Sequence, residues 1–511
     1  GIVSVYNTDG YFYNSQWPVD LHVNSEIRSL CVADMNDDGQ QEIIVGSVRT
    51  DDNDYDWYIL KPDGQPFAGW PQRARVNSGH GTFNQNAAVA DLDGDGDLEL
   101  IGLSDNFYIH ALHDNGEHVH TGAFYDHKIW AQIPLWMDVE SELRGWAEDG
   151  ELQPKFYFSS SIVDDVNNDR IPDIITVSII HERGETNDLS YPQYHTPIIL
   201  QPDRTRFNQN GFDWRVFPVP ENLAENRPYT DDWQIIKVCL PDPVTADLDN
   251  DGFKEILYPA NDGKLHAYWL DKTEHHNWPY HVTRDSEGFI RYATAPSIAD
   301  LDNDGYPEVI FGSWTPRNSQ KFGKLHILNW QGAVLHELEV PHSDRGWNGI
   351  TSTPTLANID SDQDLEIVVG TTWTGLCAYD LPGTDQAKII WQTGHVNFQR
   401  TSTVDIVRNY HSVDDRRSKP DQSVICGNYP NPFNGETSIQ INLPADDVLN
   451  ITVFDVLGRE VTHIYEGKLD AGEHIFRFSS VQTGEKIASG LYLCRIQGKS
   501  FSSMLKMLLV E

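Results

Sequence analysis

The feature that most constrains the fold of this 511-residue chain is a short acidic segment that occurs six times. The copies begin at Asp34, Asp91, Asp165, Asp247, Asp300 and Asn358, so successive copies start 57, 74, 82, 53 and 58 residues apart. Apolar, β-branched sequence such as EIIVGS or EVIFGS follows directly. Repetition at this period predicts an array of similar antiparallel sheets, of which a β-propeller is the closed form.

The spacing of oxygen-bearing residues within each copy is typical of a calcium loop. Calcium takes roughly six to eight oxygen ligands, and side chains at positions 1, 3, 5 and 9 plus the carbonyl of position 7 can converge if the loop turns tightly. Position 6 is glycine in four copies, where the backbone must turn. The predicted ligands are Asp34, Asn36, Asp38, Gln40 and Glu42; Asp91, Asp93, Asp95, Asp97 and Glu99; Asp165, Asn167, Asp169, Ile171 and Asp173; Asp247, Asp249, Asp251, Phe253 and Glu255; Asp300, Asp302, Asp304, Tyr306 and Glu308; and Asn358, Asp360, Asp362, Asp364 and Glu366.

Two alternatives to these calcium loops can be weighed from the sequence. An EF-hand needs a bidentate glutamate at position 12 and flanking helices. Here strand-like sequence follows, and position 12 is occupied by Val45, Gly102, Thr176, Tyr258, Phe311 and Val369. Six solvated acidic turns are the second alternative, which the fixed spacing disfavours. The sequence therefore predicts up to six bound Ca²⁺.

The six predicted sites are unequal. Asn36 takes position 3 of the first copy, Arg170 replaces the glycine of the third, and the sixth begins with Asn358 and has Gln363 at position 6. The sites at Asp165 and Asn358 are accordingly predicted to be the weakest. Because the carboxylates within one loop repel each other without metal, chelation is expected to lower the melting temperature.

The sequence around the loops predicts four strands per repeat. In the first repeat, SLCVA leads into the loop, EIIVGS leaves it, and DWYILKP and a strand near GWPQRARV follow. Residues 1–20 match a third and fourth strand, and Thr401 to Val407 match a first strand without its acidic loop. The predicted fold is an all-β, seven-bladed β-propeller over residues 1–408, with a seventh blade built from both termini.

Large insertions between the repeats predict a ligand face opposite the calcium loops. Long loops on a rigid scaffold are where binding usually resides, and aromatic side chains there can stack on sugars or anchor a protein. The alternative, that these rings pack the insertions onto the sheets, is equally weighted. The candidate residues are Trp130, Trp136, Trp146, Tyr191, Tyr194 and Trp233.

A separate C-terminal module follows a polar linker over residues 409–422. Alternating strands in residues 423–511, such as Ile439, Ile441 and Leu443, predict a small Ig-like β-sandwich.

Both regions resemble known families. The loops with their trailing GS resemble the FG-GAP/VCBS repeats of integrin-α-like, calcium-binding β-propellers. NYPNPFN, VFDVLGREV, ASGLY and the terminal KMLLVE resemble the C-terminal sorting domain of type IX secretion cargo, which is similar to a hook-cap Ig-like domain. The second resemblance implies passage through the outer-membrane secretion machinery of a Gram-negative bacterium and a secreted or cell-surface location.

Composition narrows the classes of partner. With 77 acidic and 37 basic residues the formal charge is −40, which disfavours nucleic acid, and no apolar run is long enough to span a membrane. Three functions stay open: a binding or adhesion module for glycan or surface protein, a structural subunit that self-assembles into an extracellular filament or layer by strand addition, and a polysaccharide lyase or hydrolase. No nucleophile elbow, HExxH or phosphate loop is present, so the first is preferred and no catalytic residue is predicted. The histidines of YIHALHDNGEHVH are expected to lie on a surface hairpin rather than to bind zinc.

Overall fold

The computed structural model describes the chain apart from residues 23–25, 49–54, 74–85, 105–106, 147, 149–150, 157–158, 183–192, 221, 231, 233–234, 236–237, 317–320, 342–347, 373–374, 405–424, 430–432, 444–445, 456–458, 480, 483–484, 499–501 and 511. The chain is all-β and divides into two compact units, Gly1–Arg408 and Asn409–Glu511. The predicted linker, residues 409–422, lies outside the described residues.

In the described part of the first unit, six antiparallel sheets of three or more strands each carry one acidic segment, and they are numbered here sheets 1 to 6. In each sheet a first, second and third strand pair in sequence order. Their bounds are Ile27–Ala33, Glu42–Ser47 and Trp57–Leu60; Ala88–Ala90, Glu99–Leu103 and Ile109–Leu112; Ser161–Asp164, Asp173–Glu182 and Tyr194–Leu200; Val244–Ala246, Glu255–Pro259 and Lys264–Tyr268; Ser297–Asp300, Glu308–Thr315 and Lys324–Leu328; and Thr355–Ala357, Leu365–Thr371 and Gly375–Leu381.

The second strands form the centre of the packing. Every residue of Glu42–Ser47, Glu99–Leu103, Glu255–Pro259 and Glu308–Thr315 is buried. A strand that is covered on both faces has a nearly continuous apolar sequence, which explains the EIIVGS-type sequence after each loop. The hydrophobic clusters run between neighbouring sheets, so each sheet is stabilised by the next one in the chain.

Among the described residues, the predicted fourth strand is regular in sheets 4 and 5. Tyr280–His281 and Val334–Glu339 pair with the third strands of sheets 4 and 5. In sheets 1, 2 and 3 single bridges take its place, at Leu60–Pro66, Leu112–His118 and Leu200–Arg206. Short, irregular outer strands protect a sheet edge from pairing with other chains.

Tryptophans before or within the fourth-strand region tie successive sheets together. The indole N–H of Trp70 donates to the carbonyl of Asp114 at 2.6 Å, and Trp214 and Trp278 bond in the same way to Leu270 at 2.9 Å and Trp330 at 3.0 Å. Each bond runs from one sheet to the turn after the third strand of the next. Trp17, in the N-terminal residues, makes the equivalent 3.0 Å bond to Pro62 of sheet 1.

The N-terminal residues therefore pack like the outer half of a preceding sheet. Ile2–Val3 pairs with Val19–Asp20, and Val3 and Trp17 are buried against sheet 1. This agrees with the match of residues 1–20 to a third and fourth strand.

The described residues do not form the seventh sheet that the sequence predicts from both termini. Lys388–Trp391 pairs with the first strand of sheet 5, and the carbonyl of Gln392 accepts from Leu356 N at 2.9 Å. The carbonyls of Gln399, Thr401 and Ser402 accept from Val32, Val89 and Val163 in the first strands of sheets 1, 2 and 3, at 2.9, 3.0 and 2.8 Å. Residues 388–404, named here the axial segment, thus join the first strands of five sheets.

The insertion before sheet 3 is folded. It contains two 3₁₀ turns, Ala123–Tyr125 and Trp130–Gln132, the short helix Val139–Arg144, and a strand, Leu152–Lys155, that pairs with Asp173–Glu182. The Asp138 carboxylate caps this helix by accepting from Ser141 N at 2.8 Å. The unit has further short elements. Asn208–Gln209 pairs with Phe212–Asp213, and Asp285–Glu287 is a 3₁₀ turn. The short strands Tyr292–Ala293 and Asn348–Gly349 both pair with Glu308–Thr315.

The second unit consists of two sheets around one core. The three-stranded sheet has Ile425–Tyr429, Glu436–Leu443 and Gly472–Ser479, and the four-stranded sheet has Glu460–Leu469, Asp447–Asp455, Gly490–Gln497 and Ser502–Leu509. Val481–Gln482 and Glu485–Lys486 form a small ribbon. Ile439, Ile441 and Phe478 of one sheet pack with Leu449, Ile451 and Val453 of the other.

Candidate metal-binding loops

Each acidic segment forms the turn between the first and second strand of one sheet. Position 1 follows or ends a first strand, and position 9 begins a second strand in five sheets and stands one residue inside it in the sixth. The buried strand therefore fixes the position-9 carboxylate beneath the loop. The structure thus gathers the five predicted ligand residues of every copy into one turn.

One hydrogen bond recurs in all six loops. The position-9 carboxylate accepts from the backbone N–H of position 2, at N···O distances between 2.7 Å for Leu248 with Glu255 and 3.2 Å for Val166 with Asp173. In loops 4 and 6 the other oxygen, Oε1 of Glu255 and of Glu366, is buried and has no hydrogen-bond partner among the described residues, whereas in loop 2 Glu99 Oε1 contacts His113. The shared hydrogen bond therefore connects the start of the second strand to the start of the loop.

Two further bonds shape the turns. The position-5 carboxylate accepts from the N–H of position 7 in every loop, at 2.8 Å for Asp38 with Gln40 and 3.0 Å for Asp362 with Asp364. In loops 1, 3, 4 and 5 the position-1 carboxylate accepts from the N–H groups of positions 5 and 6. These bonds hold the side-chain oxygens of each loop toward one centre.

The oxygen atoms of the loops fit a hard divalent cation. In four loops, carboxylate oxygens of three residues lie within 4.8 Å of one another: Asp91, Asp93 and Asp95; Asp247, Asp249 and Asp251; Asp300, Asp302 and Asp304; and Asp360, Asp362 and Glu366. The Oε1 atoms of Glu255 and Glu366 and the Oδ1 atoms of Asn36 and Asn167 are buried and have no hydrogen-bond partner in the described part of the chain. A set of oxygen donors with unused lone pairs suits calcium rather than metals that prefer nitrogen or sulfur.

Burial makes these loops costly to ionise without a counter-charge. Burial is the main cause and the neighbouring loop aspartates add to it. Together they raise the pKa of the Glu255 carboxyl to about 9, of Asp173 to about 8 and of Glu308 to about 7. The pKa values of Glu42 and Glu99 are raised for the same main reason. A nearby cation would reverse this effect, because an opposite charge favours the ionised form.

The backbone separates the sixth loop from the other five. Position 6 adopts a left-handed conformation in loops 1 to 5, at φ +84° for Gly39 and, without the help of glycine, at +69° for Arg170. In loop 6 neither Ser361 nor Gln363 has a positive φ, and the Asn358 amide donates to the carbonyl of Asp362 at 2.7 Å. The third loop therefore keeps the shared geometry despite its arginine, whereas the sixth departs from it.

Two residues that the loop spacing did not predict contact loop carboxylates, and both lie just after the end of a third strand. His113 Nδ1 lies 3.0 Å from Glu99 Oε1, and the Trp269 indole N–H donates to Asp249 Oδ2 at 2.9 Å. The hydrogen bond to Glu99 raises the pKa of His113. Both residues stand next to an Asp-containing turn after a third strand, which is the signal by which the sequence could have indicated them.

The histidine-rich hairpin is only partly at the surface. His110 is completely buried, and its Nε2 accepts from the Trp57 indole at 2.8 Å. Burial lowers the pKa of His110 to about 3, so it is a neutral packing residue between sheets 1 and 2. The prediction of a surface position is wrong for His110, whereas His120 is exposed.

The predicted ligand face is mostly unavailable to a ligand. Trp130, Trp136 and Tyr194 are 0%, 4% and 1% exposed, so the prediction that these rings face solvent is wrong: they pack the insertion and sheet 3. Trp146 is 52% exposed, and the Arg144 guanidinium lies 4.7 Å from its ring centre. Tyr191 and Trp233 lie outside the described residues.

A buried ion cluster explains why the insertion packs so closely. Glu142, in the short helix, accepts from Arg204 Nη1 at 2.9 Å and from Arg206 Nε at 2.7 Å, and all three side chains are fully buried. The guanidinium of Arg206 also donates to the carbonyls of Trp136, Met137 and Arg215. Both arginines come from the hairpin after the third strand of sheet 3, so this cluster attaches the insertion to that sheet.

Comparison with known families matches both units. The model of the FG-GAP-like repeat matches residues 34–102 and 247–311, which contain loops 1, 2, 4 and 5. The model of the secretion system C-terminal sorting domain matches residues 428–511. This chain carries FG-GAP-like repeats and a type IX secretion sorting domain. It is therefore a secreted or cell-surface protein of a Bacteroidetes-type Gram-negative bacterium.

Solved structures resemble this FG-GAP-repeat protein only distantly. The V. cholerae biofilm matrix protein Bap1 is 13% identical with a TM-score of 0.35, over 97% of this chain and 68% of that one. The exotype rhamnogalacturonan lyase YesX is 14% identical with a TM-score of 0.36, over 76% and 59%. Rhamnogalacturonan lyase YesW is 12% identical with a TM-score of 0.34, over 74% and 66%. These likenesses are too weak to assign a ligand or an activity.

Two further findings complete the comparison. No curated protein is significantly similar to the chain. Among the helices in the described ranges, none combines the length and the apolar character needed to cross a bilayer.

Proposed function

We propose that this protein is a calcium-stabilised β-propeller that acts outside the cell as a binding or adhesion module for a glycan or a protein. The observation that carries the proposal is the free oxygen of the position-9 carboxylate. In loops 4 and 6 this atom is buried without a partner among the described residues, beside two or three aspartates of the same loop. Such an arrangement is unfavourable unless a cation completes it.

The roles of the loop residues follow from their contacts. Position 9 provides an oxygen from the strand beneath the loop, and positions 1, 3 and 5 provide oxygens from the turn above it. When bound, calcium would supply the positive charge that allows these carboxylates to stay ionised side by side. His113 and Trp269 would orient the carboxylates of loops 2 and 4 from outside the ligand set.

The propeller arrangement is supported by the contacts between successive sheets. Trp17 attaches the N-terminal residues to sheet 1 as Trp70 attaches sheet 1 to sheet 2. We therefore propose that residues 1–20 occupy the outer half of a seventh blade position. The axial segment, which contacts five first strands, would take the place of that blade's missing inner strands. For the second unit, the two sheets around one core support an Ig-like sandwich.

Thermal unfolding tests the calcium part of this proposal. The full chain is expected to unfold at a clearly lower temperature in EDTA than in millimolar calcium, and added calcium should restore the higher value. Extracellular calcium modules bind at about 10⁻⁴ to 10⁻³ M, so the transition should shift over this range. Coincident unfolding curves with and without EDTA would overturn it.

Binding itself is tested on a surface-immobilised panel of bacterial and host glycans and surface proteins. The module should retain at least one class of ligand in calcium and release it in EDTA. Retention of no class in calcium would refute the binding function while leaving the metal sites intact. Catalysis is not part of the proposal, because metal binding accounts for the paired carboxylates of the described loops; release of unsaturated ends from acidic polysaccharides would reassign the protein as a lyase.

A second candidate, assembly into an extracellular filament by strand addition, is favoured by the N-terminal residues. Tyr6, Tyr11 and Tyr13 are each more than half exposed, and Ile2–Val3 pairs within the described residues only with Val19–Asp20. An open strand edge with apolar side chains is a template for another chain. Negative-stain images should then show polymers for the native protein and fewer for Tyr11→Ser, with Tyr229→Ser as the control; uniformly monomeric particles would exclude it.

A further inference from the structure

A cavity opens where the first strands of sheets 4, 5 and 6 begin. Its volume is about 400 Å³, and Asp242, Ala295 and Thr353 line it just before those strands, together with His395 and Arg400 of the axial segment. The acidic loops follow the opposite ends of the same strands, so the cavity and the candidate metal sites are separate. A concave site of this size holds one or a few sugar-sized rings.

The cavity is held by a chain of hydrogen bonds that crosses four sheets. Ser29 Oγ donates to Asn86 Oδ1 at 2.8 Å, Asn86 N to Ser160 Oγ at 3.0 Å, and Ser160 N to Asp242 Oδ1 at 3.0 Å. These four residues occupy the same place in their repeats, five positions before the acidic loop. The Asn86 amide also donates to the carbonyl of Arg400 at 2.8 Å. The two charged residues of the cavity are thus positioned by one network.

Hydrogen-bond donors at the cavity are not used by the protein. The Arg400 guanidinium is exposed and forms no hydrogen bond or ion pair with any residue in the described ranges, although the chain has 77 acidic and 37 basic residues. Within the same ranges the hydroxyls of Thr351, Ser352 and Thr353 make no hydrogen bond. Arg400 lines the cavity together with these three residues, and a guanidinium and free hydroxyls in one cavity suit an oxyanion that also carries hydroxyl groups.

The remaining walls suit a sugar ring. The His395 Nδ1 lies 3.2 Å from Ser402 Oγ, and burial lowers the pKa of His395 to about 3, so the imidazole is neutral and can donate or accept. Asp242 adds a carboxyl that can accept from ligand hydroxyls. Leu240, Val368 and Leu376 supply apolar surface for the carbon–hydrogen face of a ring.

Backbone strain is concentrated beside this cavity. His395, Val396, Arg400 and Ser402 have φ angles of +64°, +75°, +60° and +56°. The left-handed region is unfavourable for all residues but glycine, and most of all for a β-branched valine. Strained residues of this kind cluster at active sites and ligand-binding sites, where the surrounding structure holds them in place.

We propose that this cavity binds an anionic sugar residue, with Arg400 contacting its carboxylate or sulfate and Thr351, Ser352 and Thr353 contacting its hydroxyls. The inference rests on the proposed binding function and names its ligand class. The overall negative charge opposes such a ligand only at long range. At physiological salt, charges more than about 8 Å away are largely screened, whereas a direct guanidinium contact is not.

Isothermal titration of the full chain in calcium and 150 mM salt tests this proposal. The carboxylated probe is trigalacturonate, the sulfated probe is a sulfated galactan trimer, and galactotriose is the neutral probe. At least one anionic trimer should bind saturably and about tenfold or more tightly than the neutral one. Arg400→Gln should weaken that binding at least about tenfold, and Thr353→Val should weaken it by a smaller factor.

The control is Arg215→Gln, which removes the same charge from an exposed ion pair elsewhere in the unit and should change binding less than twofold. Melting in calcium confirms that each variant is folded. Absence of saturable binding to both anionic trimers, equal affinity of native protein and Arg400→Gln, or equally tight binding of an acidic peptide would each overturn the proposal. If the protein binds another ligand in those cases, the proposed binding function is retained and only the assignment of this cavity is wrong.

Discussion

At the scale of single residues, the position-9 carboxylate has the most demanding role. It lies at the start of a buried strand and accepts one backbone hydrogen bond from the loop, and in loops 4 and 6 its second oxygen has no partner in the described part of the chain. Glu255 illustrates the cost, because it is completely buried and its neighbours in the loop are Asp247, Asp249 and Asp251. Stability of this residue in its ionised form depends on a cation, which makes single ligands good probes of the account.

Removal of one aspartate ligand should weaken calcium binding at one loop. Asp302 is exposed at position 3 of loop 5 and accepts from Asp304 N at 3.1 Å. For Asp302→Asn we expect calcium affinity at this site to fall about tenfold and the melting temperature in calcium to fall by a few degrees, measured by titration and calorimetry. Asp63→Asn is the matched control, since Asp63 is exposed and accepts from Gln65 N in a turn outside the loops. Equal effects of the two substitutions would contradict the role of Asp302.

The raised pKa values of the loops predict how stability changes with pH in the absence of metal. The folded pKa of Glu255 is about 9 and that of Asp173 about 8, both far above the values near 4 in an unfolded chain. The folded state therefore binds these protons more tightly, and the free energy of unfolding falls as pH rises through this interval.

Urea unfolding in EDTA at pH 7 and pH 9 measures this effect. The histidines whose pKa values are lowered to about 3, His110, His195 and His395, are neutral throughout this window and do not add to it. The midpoint should be lower at pH 9 than at pH 7, and calcium should reduce the difference. The part that calcium does not remove is expected from His266, whose pKa is raised to about 10 despite burial by its contacts with Glu274 and Asp262. A midpoint in EDTA that rises with pH would be inconsistent with buried, protonated loop carboxyls.

Local spacing in the sequence locates the six loops that carry the predicted ligands, but it does not locate the residues that support those loops. The thirty predicted ligand positions lie within nine-residue segments, and the structure gathers each set into one turn. His113 and Trp269 come from a different strand, and their approach to the loops depends on how the third strand turns back. The aromatic candidates show the same limit: Trp130 and Trp136 are buried within the insertion, whose packing onto sheet 3 depends on contacts that the local sequence does not reveal.

At the scale of elements, the insertion before sheet 3 depends on that cluster. Glu142 is the carboxylate that pairs with two buried arginines, Arg204 and Arg206. Loss of one partner leaves a buried charge uncompensated.

Glu142→Gln is therefore expected to lower the free energy of unfolding by about 3 to 5 kcal/mol, measured by urea denaturation in calcium. Glu140→Gln, an exposed position on the same helix, should change it by less than about 0.5 kcal/mol. A small effect at Glu142 would mean that the insertion is attached to sheet 3 by other contacts.

The axial segment is the element in which sequence and structure differ most. Thr401 to Val407 have the small, alternating apolar residues of a first strand, and this pattern alone cannot tell which sheet a strand will join. The structure instead bonds residues 399–404 to existing first strands, those of sheets 1, 2 and 3. The match of residues 1–20 to outer strands holds because Trp17 and its neighbours repeat a packing motif of this chain.

Trp391 is the residue that should matter most for docking of the axial segment. It is 1% exposed and pairs with Ile298 of sheet 5. Trp391→Ala should reduce the free energy of unfolding by about 3 to 5 kcal/mol, whereas Ile390→Ala, whose side chain is 41% exposed, should cost much less. Equal losses in urea denaturation would argue against a buried anchor at Trp391.

At the scale of the whole molecule, the protein is strongly acidic, and part of its negative charge lies in the six loops while the rest lies elsewhere in the chain. Many of its 77 acidic residues are collected in six loops, where the proposed metal binding would explain their number, and six Ca²⁺ would change the formal charge from −40 to −28. The all-β class and the boundaries of the repeats follow from the sequence, because the loop and the buried second strand are local patterns. The position of the axial segment does not follow from the sequence, because it depends on contacts between segments hundreds of residues apart.

An anomalous difference map from a crystal of the full chain grown in calcium tests the central claim most directly. We predict peaks at the centres of loops 1, 2, 4 and 5, with weaker peaks at loops 3 and 6, each within bonding distance of the position-9 carboxylate. A map in which the loops contain water or nothing, in a crystal that diffracts well enough to place the side chains, would contradict the account.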